Sequence, residues 1–431
     1  MAEPDLAGLS AELIAWIEAE SGARPQHASR LAGGGSRVTI LVDAERPDAS
    51  ALPLVLRLEG GGSHSGTSFS LEREYRVYRA LAGRDVPVPR AYGLMDDGSA
   101  LLMERLEGTA DFRSMSAADR AGVARKFVEA LARMHAINAS ELDLPGFGMP
   151  KDARDHALLD LGRWEALARS SCWDEPLVRF TFSHLRANAP PTVQRTVLVQ
   201  GDTGPGNFMA TPDRITGLID WEFSHVGDPM DDFGWLKYRS RETYPLFEAA
   251  FADYEQISGL RLQSESIDYY YLMALLRCAV TVALGKSKGG ALGVIPYRYS
   301  FHNYLAQIAD DLVKHAGLPI EPDPAPTEGS PTSPLYSEAR GELRNHVLND
   351  IPTYRGRAAA QAAITALTAL ELQQRFGGQI EVRDREERQA LFGAAEVDLP
   401  EEADKAGLVD DAAMLAYLAR RAWRQRFLWP R

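Results

Sequence analysis

The sequence predicts an α+β chain. Its first hundred or so residues form a small sheet with one long helix, and the remainder is mainly helical. Three observations carry this expectation. Up to residue 107, short alternating β-branched runs recur between glycine and proline turns. From about residue 116 the apolar spacing becomes helical. A stretch with six prolines, 318–334, then precedes a last helical part of about 100 residues and reads as an extended linker.

Taken in order, residues 4–20 place Leu9, Leu13, Ile14, Trp16 and Ile17 on one stripe, as in an amphipathic helix. Leu31–Val42 opens with Gly33-Gly34-Gly35-Ser36 and then alternates, which predicts a strand entered through a glycine turn. Leu52–Leu58 predicts the next strand. Gly60–Ser70 is rich in glycine and serine and predicts a mobile loop. Ser70, followed by Glu72 and Glu74, opens a helix to about Leu81. Val86-Pro-Val-Pro89 is extended, because a proline disfavours helix at the residue before it. Ala100–Leu106 predicts a further strand, closed by Gly108. Residues 116–185 read as helical. Thr196–Val199 and Ile215–Ile219 read as two short strands, expected to pair as a hairpin. Residues 244–317, 357–375 and 410–426 read as helical again.

The composition excludes several classes of function. With 431 residues, 45% hydrophobic and 25% charged, the chain is long enough for a substantial core. Two cysteines, Cys172 and Cys278, supply neither a disulfide framework nor a four-cysteine zinc site. No run of about 18 apolar residues occurs and the N-terminus is acidic, so no membrane partner and a cytoplasmic location are expected. A net charge of −13 argues against a nucleic-acid partner, which requires a cationic surface. Residues 335–431 carry 14 basic and 15 acidic residues, so the acidity lies almost entirely before them.

The chemistry is concentrated in Val199-Gln-Gly-Asp-Thr-Gly-Pro-Gly-Asn-Phe208 and Ile215-Thr-Gly-Leu-Ile-Asp-Trp-Glu-Phe-Ser-His-Val-Gly-Asp-Pro229. Asp202 leaves one short strand, Asn207 lies five residues on, and Asp220 leaves the next strand. Phosphoryl transfer needs such a set: one carboxylate orients the attacking hydroxyl, and an amide oxygen and a second carboxylate hold a metal ion across the phosphates. Glycines 33–35 with Ser36 allow backbone N–H groups to approach phosphates closely.

In these residues the sequence resembles the aminoglycoside phosphotransferase and choline kinase branch of the kinase-like fold, over roughly residues 25–320. Gly201-Asp202, Asn207 and Ile219-Asp220-Trp221-Glu222 fit its motifs in order and spacing. The resemblance implies a two-lobed protein kinase-like fold. Residues 1–107 would be an N-lobe of small antiparallel sheet plus helix, 108–317 a mainly helical C-lobe, 318–334 the linker, and 335–431 an appended helical domain. It implies ATP and Mg²⁺ as cofactors, Asp202 as catalytic base, and Asn207 and Asp220 as Mg²⁺ ligands. It places Gly33, Gly34, Gly35 and Ser36 over the phosphates. Arg57 becomes the cation on the α/β-phosphates, paired with Glu74 or, as the alternative, Glu72. Glu104 and Leu106 fall at the hinge that meets adenine. His135 and Asp231, Asp232 and Asp228 are implied to brace the catalytic loop and nearby helix ends, with Asp228 as a candidate anchor and Glu222 as an aid to a second metal ion.

Two positions depart from the family pattern. Gln200 stands where the family has histidine, and Arg57 where most kinases have lysine. The chain has 7 Lys against 40 Arg, and no lysine before Lys126. An arginine keeps the charge but not the geometry. The expected function is therefore ATP- and Mg²⁺-dependent transfer to a hydroxyl of a small molecule. The alternative is a catalytically impaired nucleotide-binding regulatory module. The glycine loop, the Val-Leu-Arg strand and the Val-Pro-Val-Pro segment look most like the kinase branch fused to acyl-CoA dehydrogenases. That likeness implies a hydroxyacyl-CoA acceptor, while the wider family implies an amino sugar or amino alcohol. Residues 335–431 resemble a helical domain found beside such phosphotransferases. Arg340, Arg344, Arg355 and Arg357 near its start suit an anionic group or a solvated face, and a cap, a partner site or a homodimer contact are the roles open to the domain.

Overall fold

The computed structural model describes the chain except for residues 1–5, 7, 32–36, 60–68, 289–290, 325, 352–353 and 430–431. The expected α+β class is observed, and two compact units are present. One comprises Met1–Leu159 with Pro190–Tyr271, the other Asp160–Ala189 with Leu272–Arg431.

The first unit begins with α1 (Ala11–Ser21), β1 (Arg24–Arg30), β2 (Val38–Glu45), β3 (Ala51–Leu58), α2 (Leu71–Leu81), β4 (Ala91–Leu94) and β5 (Ala100–Glu104). The strands form one antiparallel sheet in the order β1-β2-β3-β5-β4. Leu52, Leu54 and Leu56 alternate inward on β3 and meet Ile40 and Val42 of β2, Ile17 of α1 and Leu102 of β5 in a common core. Neither β1 nor β4 was expected. Both are edge strands: the polar side chains of β1 break the period-two signal, and β4 is only four residues long. Ser70 caps α2 by accepting from the Arg73 amide. The buried face of α2 carries Leu71, Val77, Tyr78 and Leu81, and one charged residue, Glu74.

The unit continues with α3 (Ala117–Ala136) and the start of α4 (Asp155–Arg169). After α5 (Pro176–Ala187), which belongs to the second unit, come β6 (Val197–Val199), β7 (Phe208–Thr211), β8 (Arg214–Leu218), β9 (His225–Gly227), α6 (Met230–Ser240), α7 (Tyr244–Glu248) and α8 (Phe251–Ser258). The expected hairpin of the two short strands is not formed. β8 pairs with β7, and β6 pairs with β9. β7 and β9 are only three or four residues long, too short to leave a periodic signal.

The remaining helices are α9 (Ser264–Lys288), α10 (Ala291–His315), α11 (Leu335–Glu342), α12 (Tyr354–Phe392), α13 (Leu399–Gly407) and α14 (Ala412–Phe427). In the second unit α13 lies against α5. Asp404 accepts from Arg179 at 3.1 Å and from the Ser183 hydroxyl. Arg421 on α14 donates to Glu175 at 2.6 Å, and Trp423 donates to Asp310 on α10 at 2.7 Å. The six-proline stretch is tied to α12, where Ser330 N donates to Arg375 O and Gln379 to Glu328 O. It is therefore part of the unit rather than a spacer. A cavity of about 750 Å³ lies beside it, lined by Arg383, Trp423, Phe427 and Trp429 among others. This grouping cuts across the expected boundaries at 317 and 335.

Contrary to the expectation from apolar runs, α9 is long and apolar enough over Ser264–Gly285 to cross a membrane. Tyr270, Leu275, Ala279 and Val280 are completely buried, as in a core helix. Arg277 in its middle is buried too, paired with Asp160 at 2.7 Å.

Candidate active site

Asp202, Asn207, Asp220, Arg57, Glu74, Glu104 and Leu106 lie in the first unit. The segment after β6 is held from below by α6. Asp232 accepts from the amides of Gln200 (3.0 Å) and Gly201 (3.1 Å) and from the Thr203 hydroxyl. His135, at the end of α3, bridges Asp232 (2.9 Å) and the Tyr254 hydroxyl (2.8 Å). His135 thus braces the loop as expected, but its anchor is Asp232. Asp228 instead accepts from Met230 N, at the start of α6, at 3.0 Å. Gln200, in place of histidine, donates to the carbonyls of Asn207 (3.1 Å) and Ile219 (2.7 Å), joining the segments that carry Asn207 and Asp220.

Asn207 donates to Asp202, to Oδ2 at 2.6 Å and to its carbonyl at 2.7 Å. Asp220 follows β8 with φ +65°, an unusual conformation for a residue with a Cβ, and such strain concentrates at functional positions. Arg57 on β3 joins the two parts of the site. Its Nη1 lies 2.7 Å from Glu74 Oε2, and both terminal nitrogens lie 3.2 Å from Asp220 Oδ1. Glu72 pairs with Arg76 on the outer side of α2, so Glu74 is the partner. Glu104 ends β5 and is exposed, its amide bonded to Arg90 O. Leu106 lies beyond the strand beside Gly217 and Pro89. Gly33, Gly34, Gly35 and Ser36 lie outside the described residues.

Two arginines in the site were not foreseen. Arg37, the residue after the glycine run, is buried. It pairs with Glu74, with Glu222 at 3.2 Å and with Glu59 at 3.4 Å, and donates to Phe69 O at 2.6 Å. Arg239 on α6 pairs with Asp202. The only sequence signal for Arg37 is its place beside the glycines, and for Arg239 there is none.

These contacts set the electrostatics. Burial pushes the Asp202 carboxyl up, and Arg239 opposes it without cancelling it. Burial is the largest single influence on Asp220 too, but Arg57, Arg37 and Arg239 together outweigh it and hold the group below the usual carboxylate range. Burial, helped by Asp220, pushes Glu222 up to about 8. Oxygens of Glu74, Asp220 and Glu222 lie within 4.8 Å of one another. This set of hard oxygen donors fits a hard divalent cation such as Mg²⁺.

The profile of the phosphotransferase enzyme family matches residues 27–263. Mouse acyl-CoA dehydrogenase family member 10 is 26% identical over 242 residues, covering 53% of this chain and 22% of the relative. Human acyl-CoA dehydrogenase family member 11 is 27% identical over 231 residues, covering 50% of this chain and 29% of the relative. The chain thus spans less than a third of the length of either. Among solved structures, a Ralstonia eutropha protein provisionally described as an aminoglycoside phosphotransferase superposes with a TM-score of 0.52 at 22% identity. That match covers 68% of this chain and 94% of the other. A choline kinase from Streptococcus pneumoniae gives 0.51 at 19%, covering 69% and 98%. These two show the kinase-like fold.

Proposed function

The chain belongs to the phosphotransferase enzyme family, and on that premise we propose that it transfers the γ-phosphate of ATP to a hydroxyl of a small molecule. The observation that carries the reading is the convergence of Asp202, Asn207 and Asp220 with the Arg57–Glu74 pair in one site. In it, Asp202 orients the acceptor hydroxyl and takes its proton. Asn207 holds Asp202 in place. Arg57, fixed by Glu74, turns from Asp220 to the phosphates, where its charge and fork suit paired oxygens. By the family likeness, Glu104 and Leu106 are assigned to the hinge that meets adenine, and Gly33, Gly34, Gly35 and Ser36 to the phosphates. Asn207 and Asp220 would hold Mg²⁺, with Glu222 beside them, and the ion when bound neutralises charge across the phosphates. The acceptor classes are a hydroxyacyl-CoA, an amino sugar and an amino alcohol, the first supported by the relatives' names.

A second reading, a nucleotide-binding module without transfer, draws on one observation: both Asp202 and Asp220 are engaged by arginines. ATP consumption measured against a panel of the three acceptor classes separates the two. Asp202→Asn is expected to lower acceptor-dependent turnover by ~10²–10⁴-fold while ATP still binds. Full turnover in that variant would rule out Asp202 as the base. Binding of ATP with no consumption by the wild-type chain supports the module.

A further inference from the structure

Glu74 is held by two arginines, one on each oxygen. Arg37 Nη1 donates to Oε1, and Arg57 Nη1 donates to Oε2 at 2.7 Å. Arg57 thus meets this carboxylate with one nitrogen, although a guanidinium commonly meets a carboxylate with two parallel donors. Its Nη2 lies 3.2 Å from Asp220 Oδ1 instead, and its Nε is buried with no hydrogen-bond partner among the described residues. A buried donor left unpaired is unfavourable, so its exclusion from Oε1 needs a cause, and Arg37 supplies it. Arg37 is anchored there without help from Arg57. It lies 3.2 Å from Glu222 and 3.4 Å from Glu59, and it donates to Phe69 O at 2.6 Å.

We propose that Arg37 is a positioning residue for nucleotide binding: by holding Glu74 Oε1 it stops Arg57 from closing a two-point pair with Glu74, and so keeps one end of the Arg57 fork available to phosphate. The inference rests on Arg57 acting as the phosphate cation in the reading above. The requirement follows from the chemistry of arginine. Opposite a lone buried carboxylate, a guanidinium pairs with both oxygens along one edge, and that edge is then closed to phosphate. A lysine has no fork. Its ammonium donors point in three directions, so one can face the carboxylate while another faces a phosphate. Arg57 therefore needs Arg37 where a lysine would not. Removing Arg37 also has a general effect. It leaves Glu59, Glu74 and Glu222 less compensated and weakens the attraction for an anionic ligand. That effect acts alike on either cation at position 57, which allows the two to be separated.

The experiment measures the Kd of Mg²⁺–ATP for the full chain by titration calorimetry, in the wild-type and Arg57→Lys backgrounds, each with and without Arg37→Gln. Arg37→Gln is expected to raise the Kd at least about tenfold in the wild-type background and no more than about threefold beside Arg57→Lys. Arg37→Lys, which keeps a donor on Oε1, is expected to stay within about threefold of wild type. If thermal melts show that Arg37→Gln does not fold, the same cycle is run with Glu59→Gln in all four proteins, which removes one of the acids that Arg37 compensates. The inference is overturned if Arg37→Gln leaves the Kd unchanged. It is also overturned if it raises the Kd by one common factor in both backgrounds, since Arg37 would then act through charge or folding alone. Loss of affinity in Arg37→Lys equal to that in Arg37→Gln overturns it too. If the wild type binds ATP and Arg57→Ala binds it as well, Arg57 is not the phosphate cation and the inference falls, while Asp202-dependent transfer still stands. A wild type that neither binds nor consumes ATP removes the kinase reading and this inference together.

Discussion

Gly201 has φ +82°, and the space its Cβ would need is filled by the Phe223 carbonyl, closer than 3.0 Å. Both the backbone conformation and the close approach require glycine. Gly201→Ala is expected to destabilise the protein by roughly 1–3 kcal/mol, read from denaturant unfolding, and to displace Asp202 next to it. Asp228, almost fully buried, makes a different kind of prediction. Burial, with Asp231 nearby, pushes its carboxyl up to about 7, while the unfolded chain titrates near 3.8. Between those values the folded state binds the extra proton, so stability falls as pH rises from about 4 to about 7. Asp228→Asn keeps an oxygen to accept from Met230 and removes the ionisation. Its stability at pH 8 relative to wild type, compared with the same difference at pH 4, should rise; a constant difference would count against the assignment. Asp202, Asn207 and Asp220 were legible in the sequence because 19 residues hold all three at a spacing that phosphoryl transfer explains. Arg239 and Arg37 were not, because their partners lie 37 and 185 residues away for Asp202 and Glu222, and an isolated arginine does not announce a long-range ion pair.

Elements were legible where periodicity ran long enough. Ser70 marked the start of α2, and the family resemblance named Glu74, with Glu72 as the alternative, as the partner of Arg57 on β3. The structure shows Glu74 as the one acid on the buried face of α2, paired with Arg57. The pairing of β6 with β9 was not legible, since three residues carry no period and the partner strand is set by tertiary contact. Close packing likewise reverses a local rule at Gly407, the last residue of α13. Helix propensity alone favours alanine over glycine by about 1 kcal/mol. Here a Cβ would run into the Phe180 carbonyl and stand 3.0 Å from Ser183 Cβ on α5. Gly407→Ala is therefore expected to lower the melting temperature, by an amount corresponding to about 1–3 kcal/mol of overpacking. An increase would mean that α13 does not sit this close to α5.

At the scale of the whole chain, the last hundred residues were expected to form an appended domain beyond a spacer. The structure places them in one compact unit with 160–189 and 272–317. Their helices contribute to it in kind, since α13 and α14 ion-pair with α5 and its cap through Asp404–Arg179 and Arg421–Glu175. Helix α5 itself buries Leu177, Val178, Phe180, Phe182 and Leu185 to 1% exposure or less. Each such side chain contributes ~1.5–3 kcal/mol when covered, against a total stability of ~5–15 kcal/mol for a typical protein. Uncovering even two or three of them by deletion consumes much of that margin. It also leaves Arg179 and Glu175 without Asp404 and Arg421. A chain ending at residue 334 is accordingly expected to aggregate, or to unfold well below the full-length protein in calorimetry, with exposed apolar surface detectable by dye binding. An independent appended domain predicts the opposite: a soluble 1–334 chain, a transition within a few degrees of one shown by the full-length protein, and unchanged ATP consumption.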